Sequence, residues 1–325
     1  MTPLHFERLY QAEWEELESL LARVRGEPGP KGDAPIRGER IAALYRRACE
    51  HFALARARAY PAHLVDRLER MTARAHQAIY QRREFGLSRV KALAAVEFPQ
   101  AVRAHAGYVW VAAAVFILPM IVLGILVNAR PELILSVVDP ETAADMERMY
   151  SSAAESIGRT RAAESDWMMF GFYIRNNIGV AFQCFASGFF AGVGSLFFLA
   201  FNGAFAGALA GYLTERGLSE TFYSFVVTHA AFELTAIVLA GAAGLRIGHS
   251  LLAPGRRTRA QALVVAAREA IVIIYGVAGL LLLAAAVEAF WSSASWLPPA
   301  VKYGVAAACW AAMLAYLTLQ GRRAR

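Results

Sequence analysis

At 325 residues, 57% of them hydrophobic and 18% charged, with a mean hydropathy of +0.38, the chain is too apolar for an ordinary soluble protein. The two characters must be segregated, and they are: residues up to about 105 are arginine-rich and polar, whereas apolar segments of spanning length follow. The formal charge of +7 comes with acidic residues interleaved among the basic ones, which argues against nucleic acid as a partner and fits a surface beside anionic lipid.

The opening "MTPLHFERLYQAEWEELESL" carries charges throughout and lacks a signal-peptide pattern, so the head is expected in the cytoplasm. Leucines and aromatics recur at helical spacing in three blocks, about 4–25, 38–59 and 62–84. The breaks are "GEPGPKGDAP" and Pro61, and the expectation is a three-helix head over residues 1–85. The basic, amphipathic "GLSRVKALAAVEFPQAVRAHA", residues 86–106, is expected to lie along the membrane surface.

Residues 107–325 then predict an all-α polytopic membrane domain with about six spans, at 107–128, 170–190, 191–213, 222–249, 269–291 and 299–319. The apolar stretch over 170–213 is too long for one span at 1.5 Å per residue, so it must be two helices or one helix and a broken one. Gly188, Gly192 and Gly194 suit the reversal between them. Arg256, Arg257, Arg259 and Arg268 with no acid between, and the tail "GRRAR", place two inner loops on the cytoplasmic side. The acid-rich segment 129–167 then faces outside, with a helix start at Asp139-Pro140. It reads as a surface connector or as a docking site, over 139–165, for an envelope partner.

Within the spans, polar residues are few. His229 and Glu233 lie four apart on one helix face, Asn176 and Asn177 sit in the second predicted span, and Asn202 sits in the third. All fall in one depth band, where each must find a protein or water partner, so they are expected to face one another. Arg175 is expected to snorkel outward or to pair with Glu233, and Arg246 to snorkel inward. Gly203, Gly207 and Gly211 form a small-residue stripe, as do Ala240, Gly244 and Gly248, so helix backbones are expected to approach closely there. Packing within one chain is the default, and such faces also suit a homodimer.

The order "FYIRNNIGVAFQCFASGFFAG", "FNGAFAG", "THAAFELTAIVLAGAAGLRIG" resembles the membrane core of the stage II sporulation protein M family. Its recurrent features are a paired Asn, an Asn-Gly, and Pro-His-Gly-x-x-Glu before a Gly-rich stretch. Asn176, Asn177, Asn202, Gly203, His229, Glu233 and Gly244 match, and "EFPQAVR" resembles the family's entry segment. Thr228 and Ala230 depart from it, standing where Pro and Gly are usual. The resemblance implies a non-enzymatic scaffold in the inner membrane, similar to an anchor that gathers cell-wall hydrolases.

Against the scaffold stands a transporter or lipid-handling reading, in which His229 and Glu233 form a proton relay and 170–213 a broken-helix element. Enzyme readings rank lower. "HAAFE" is not His-Glu-x-x-His, His249 lies far along the helix, and neither a serine triad nor a phosphate-binding loop is visible. Cys49, Cys184 and Cys309 lack paired or metal-ligand spacing, so no metal and no cofactor are expected. The cluster's plainest role is packing, with each hydrogen bond worth on the order of 1 kcal/mol in a membrane. The six-span arrangement predicts that a topology reporter fused after Gln320 reads cytoplasmic; an external signal overturns it.

Overall fold

A computed structural model describes residues 1–25, 38–80, 86–151, 163–294 and 296–322. The Gly/Pro break at 26–35, residues 152–162 of the outer segment and the last three residues of the tail lie outside the described residues. All regular structure described is helical, and the chain divides into two compact units, Met1–Gly86 and Leu87–Arg325.

In the first unit, α1 (Pro3–Arg25), α2 (Gly38–Ala57) and α3 (Ala62–Tyr80) each bury one stripe. Phe6, Trp14, Leu17 and Leu21 line up on α1, Ile41, Leu44, Ala48 and Ala55 on α2, and Leu64, Leu68, Met71 and Ala75 on α3. Spacings of three and four put each set on a single helix face, which is why three amphipathic segments close around one core. A polar group enters that core: Trp14 Nε1 donates to His51 Nδ1 at 3.1 Å, and burial holds the His51 pKa below its ordinary value. At the rim, Glu16 pairs with Arg40 at 2.6 Å and Glu13 with Arg47 at 2.7 Å. Exposed pairs like these contribute at most about 1 kcal/mol each.

The second unit begins with α4 (Leu87–Ala92), a π-helical turn (Leu93–Glu97) and α5 (Phe98–Ala104). The segment read as an interfacial helix is thus helical but interrupted, and α5 buries Phe98 and Val102. The helices of the apolar body follow: α6 (Ala106–Ala129), then, after a 3-10 turn (Pro131–Ser136), the short α7 (Pro140–Tyr150) and α8 (Ala163–Ala186). A second 3-10 turn (Ser187–Phe189) leads to α9 (Val193–Glu215), α10 (Ser219–Leu252), α11 (Arg259–Ala286), a π-helical turn (Val287–Ser292) and α12 (Pro299–Leu319). Phe98 packs against Gly276 of α11. Gln100 and Arg103 donate to the Gly321 and Leu317 carbonyls, satisfying acceptors left free where α12 ends.

Among the described residues, five helices rather than six are long and apolar enough to cross a membrane: α6, α9, α10, α11 with its π turn, and α12. The span predicted at 170–190 is not among them. Arg175, Asn176, Asn177 and Gln183 dilute the apolar character of α8, although it packs against α9, α10 and α11. The crossing of α8 therefore decides whether the two termini share a side. At the centre stands α10, which touches α6, α8, α9, α11 and α12. Its 34 residues make it roughly 51 Å long, more than the ~30 Å hydrocarbon layer needs. By contrast α6 is apolar all round, with Trp110, Leu118 and Ile125 exposed as a lipid-facing helix requires.

Backbones approach closely at both small-residue stripes, and the two stripes meet different neighbours. Gly203, Gly207 and Gly211 of α9 lie on the Phe116, Met120 and Gly124 carbonyls of α6. Gly244 and Gly248 of α10 instead receive the turn after α8, with Gly188 on Gly244 and Gly192 on Gly248. Gly192 holds φ +84°, a left-handed conformation that glycine adopts without strain, and it reverses the chain into α9. Stripe position along the sequence does not say which neighbour a stripe meets, since any backbone can fill a groove of missing side chains.

The short α7 is bolted to the body. Asp139 caps α7 by accepting from the Thr142 N–H at 2.9 Å, Tyr150 packs edge-on against Phe222 at 5.2 Å, and Tyr212 donates to Glu147 at 3.0 Å. A Cβ at position 207 would overlap the Met120 carbonyl, so Gly207→Ala is expected to push α6 from α9 and destabilise the protein by about 1–3 kcal/mol. Gly279→Ala meets nothing within 4 Å and is the matched control. Thermal unfolding of both variants in one detergent checks this; equal melting temperatures would refute the seam.

Candidate functional site

Two residues of the site come from one helix face. On α10, His229 and Glu233 are one turn apart, with His229 Nε2 3.9 Å from Glu233 Oε2. The third comes from the π-helical turn that ends α11. A π turn carries one residue more than an α turn, and this one sets Glu288 and Ser292 toward α10. Ser292 Oγ lies 3.1 Å from His229 Nδ1, and Lys302 of α12 donates its Nζ to the Ser292 carbonyl at 2.7 Å. One imidazole nitrogen is thereby held by Ser292, and the other faces the carboxylates. His229 is only 4% exposed, and the Phe225 ring meets it edge-on at 5.5 Å.

The asparagines arrive from α8 and α9. Asn176 donates to Asn177 Oδ1 at 3.0 Å, while Asn177, 2% exposed, lies beside Glu288 with its own Nδ2 unpartnered. Asn202 donates to the Phe198 carbonyl one turn back at 2.7 Å, which leaves its side-chain oxygen free. Asn176, Asn202, His229, Glu233 and Glu288 line one half-open cavity of about 310 Å³, whose apolar walls include Phe116 and Ile237. Asn176 is exposed at its rim. The nearest nitrogen and oxygen atoms of His229, Glu233 and Glu288 lie within 4.8 Å of one another, so these are the residues able to hold a metal ion.

Arg175 is exposed and, among the described residues, forms no ion pair with Glu233, so of its two expected placements the pairing is not seen. One expectation needs correction. Arg246 does not extend freely toward the inner headgroups; it is held within the protein by Glu269, at 2.7 Å, which His105 also approaches at 3.4 Å. An arginine with a carboxylate one helix away gains more from that pair than from reaching along the helix to lipid. Sequence spacing does not join Glu288 to the cluster. The link depends on a π turn, which helical spacing does not reveal, and on the pairing of α10 with α11.

Two family models match the chain. Residues 5–81 match a domain of unknown function (DUF8413), and residues 112–293 match stage II sporulation protein M. No curated protein and no solved structure matches. The second match covers more than half of the chain and includes all the residues of the polar cavity, so the chain belongs to the stage II sporulation protein M family.

Proposed function

We propose that the protein is a non-enzymatic assembly platform of the bacterial cell envelope. In this reading it is a multi-span inner-membrane body, with both termini in the cytoplasm, that gathers cell-wall remodelling partners through the head or the outer segment 139–165. The observation that carries it is the interlocking of the body: α6 and α9, and the 187–192 turn and α10, meet backbone to backbone along two glycine seams. Helices locked this way suit a fixed platform better than a machine that must open alternately to both sides. Membrane lipids surround the exposed apolar faces, and a homodimer is compatible with them.

Transport is the second reading, and one observation favours it: two carboxylates, an imidazole and two amides surround a cavity inside an apolar body. Broken-helix binding sites arise in such places. The two readings part in their behaviour after purification.

For the platform, cross-linking and mass spectrometry on wild-type membranes are expected to recover an envelope enzyme in stoichiometric amount. Deleting the whole of 139–165 would also remove the packed Tyr150, so the outer face is tested by Glu141→Lys with Asp145→Lys, both exposed. Loss of the partner in that variant, or on deleting residues 1–85, identifies the docking surface; recovery of the wild type alone counts against a platform. For transport, vesicles carrying the protein should move a solute or proton and Glu233→Gln should abolish the flux. Unchanged flux in that variant would sink the relay.

A further inference from the structure

We propose that His229, Glu233 and Glu288 bind one divalent transition-metal ion, with zinc the best match to the donor set, inside the membrane body. The inference does not depend on whether the body acts as a platform or a carrier. It starts from three ligand atoms on two packed elements, all within 4.8 Å of one another. Around tetrahedral zinc, nitrogen and oxygen ligands at 2.0–2.2 Å stand about 3.3 Å apart. Closing the set requires a shift of roughly 1 Å in side-chain ends, within the reach of glutamate torsions.

A second observation points to a ligand independently of that spacing. Glu288 is 9% exposed and, among the described residues, its Oε2 has no hydrogen-bond partner of good geometry; the Asn177 amide, 2% exposed, stands beside this carboxylate as a hydrogen-bonding neighbour. A buried polar atom without a partner is costly, and a carboxylate oxygen more so. A metal ion at the centre of the three residues gives Glu288 Oε2 its partner. Asn177 then supports the carboxylate from behind.

The histidine is oriented as metal-ligating histidines are. With Nδ1 donating to Ser292 Oγ, the Nε2 lone pair is fixed toward Glu233 and Glu288. Lys302 holds the Ser292 backbone in place, so the orienting group is itself fixed.

Charge supports a dication. Two carboxylates in an apolar body either take up protons or need compensating positive charge, and among the described residues no Lys or Arg forms an ion pair with Glu233 or Glu288, so a dication can supply it. Lys302 is engaged at the Ser292 carbonyl, and Arg246 at Glu269. The imidazole decides the class of metal, because magnesium and calcium prefer all-oxygen shells whereas zinc, manganese and iron accept nitrogen. Three protein ligands leave a position open to the cavity, whose lining includes Asn202.

The test uses the full-length protein in mild detergent. Elemental analysis after dialysis against zinc, and titration with zinc against a competing chelator, are expected to give one ion per chain. Glu288→Gln and Glu233→Gln keep size and hydrogen-bonding capacity but remove a charged ligand, so each should abolish stoichiometric binding. Ser292→Ala should weaken it by roughly 10–100-fold, as loss of a supporting partner does. Should either glutamine variant fail to fold, cobalt(II) bound to the wild type decides: absorption bands of a nitrogen and oxygen site, without thiolate charge transfer, support the proposal. Less than a stoichiometric ion in wild type, undiminished binding in Glu288→Gln, a thiolate band, or equal binding of magnesium overturns it.

Discussion

The body depends on how closely helix backbones approach one another. Inside lipid no hydrophobic force drives one helix onto another, because the acyl chains are as apolar as leucine; association must come from packing and from polar contacts. Gly203, Gly207 and Gly211 let α9 settle on the carbonyl ridge of α6 with no side chain between. Gly188 and Gly192 meet Gly244 and Gly248 in the same way, which ties the reversal after α8 to the central helix. With both seams closed, α8, α9 and α10 have little freedom to slide, and the depth of every side chain on them is set.

That constraint is what makes the polar cavity possible. Asn176 on α8, Asn202 on α9 and the His229–Glu233 pair on α10 line one space between helices held by the seams, and each is costly against lipid. The π turn at the end of α11 completes the group by turning Glu288 and Ser292 inward. Small residues and polar residues on these helices therefore have complementary roles. The former allow the approach, and the latter use the enclosed space it creates.

Much of this arrangement was legible in the sequence. Charge and hydropathy divided a polar head from an apolar body, and three- and four-residue spacing placed the three head helices because an amphipathic face is a local property. Asn176, Asn202, His229 and Glu233 stood out as polar residues in apolar runs, and they line one cavity. The division of residues 170–213 was less legible. Arg175, two asparagines and Gln183 leave α8 short of the hydropathy of its neighbours, so its relation to the bilayer rests on what surrounds it.

Which residues are too polar for lipid, where chains of small residues run, and the helical character of the fold all follow from composition and from periods of a few residues. Who meets whom follows from packing alone. It set the α9 glycines on α6 rather than α10, turned Arg246 to Glu269 and packed α7 onto Phe222. It also brought Glu288 to His229 and Glu233. The reason is physical: a helix offers several faces, and the face that binds a given neighbour depends on chain reversal and on irregular turns such as the π turn at 287–292, which no short-range period records.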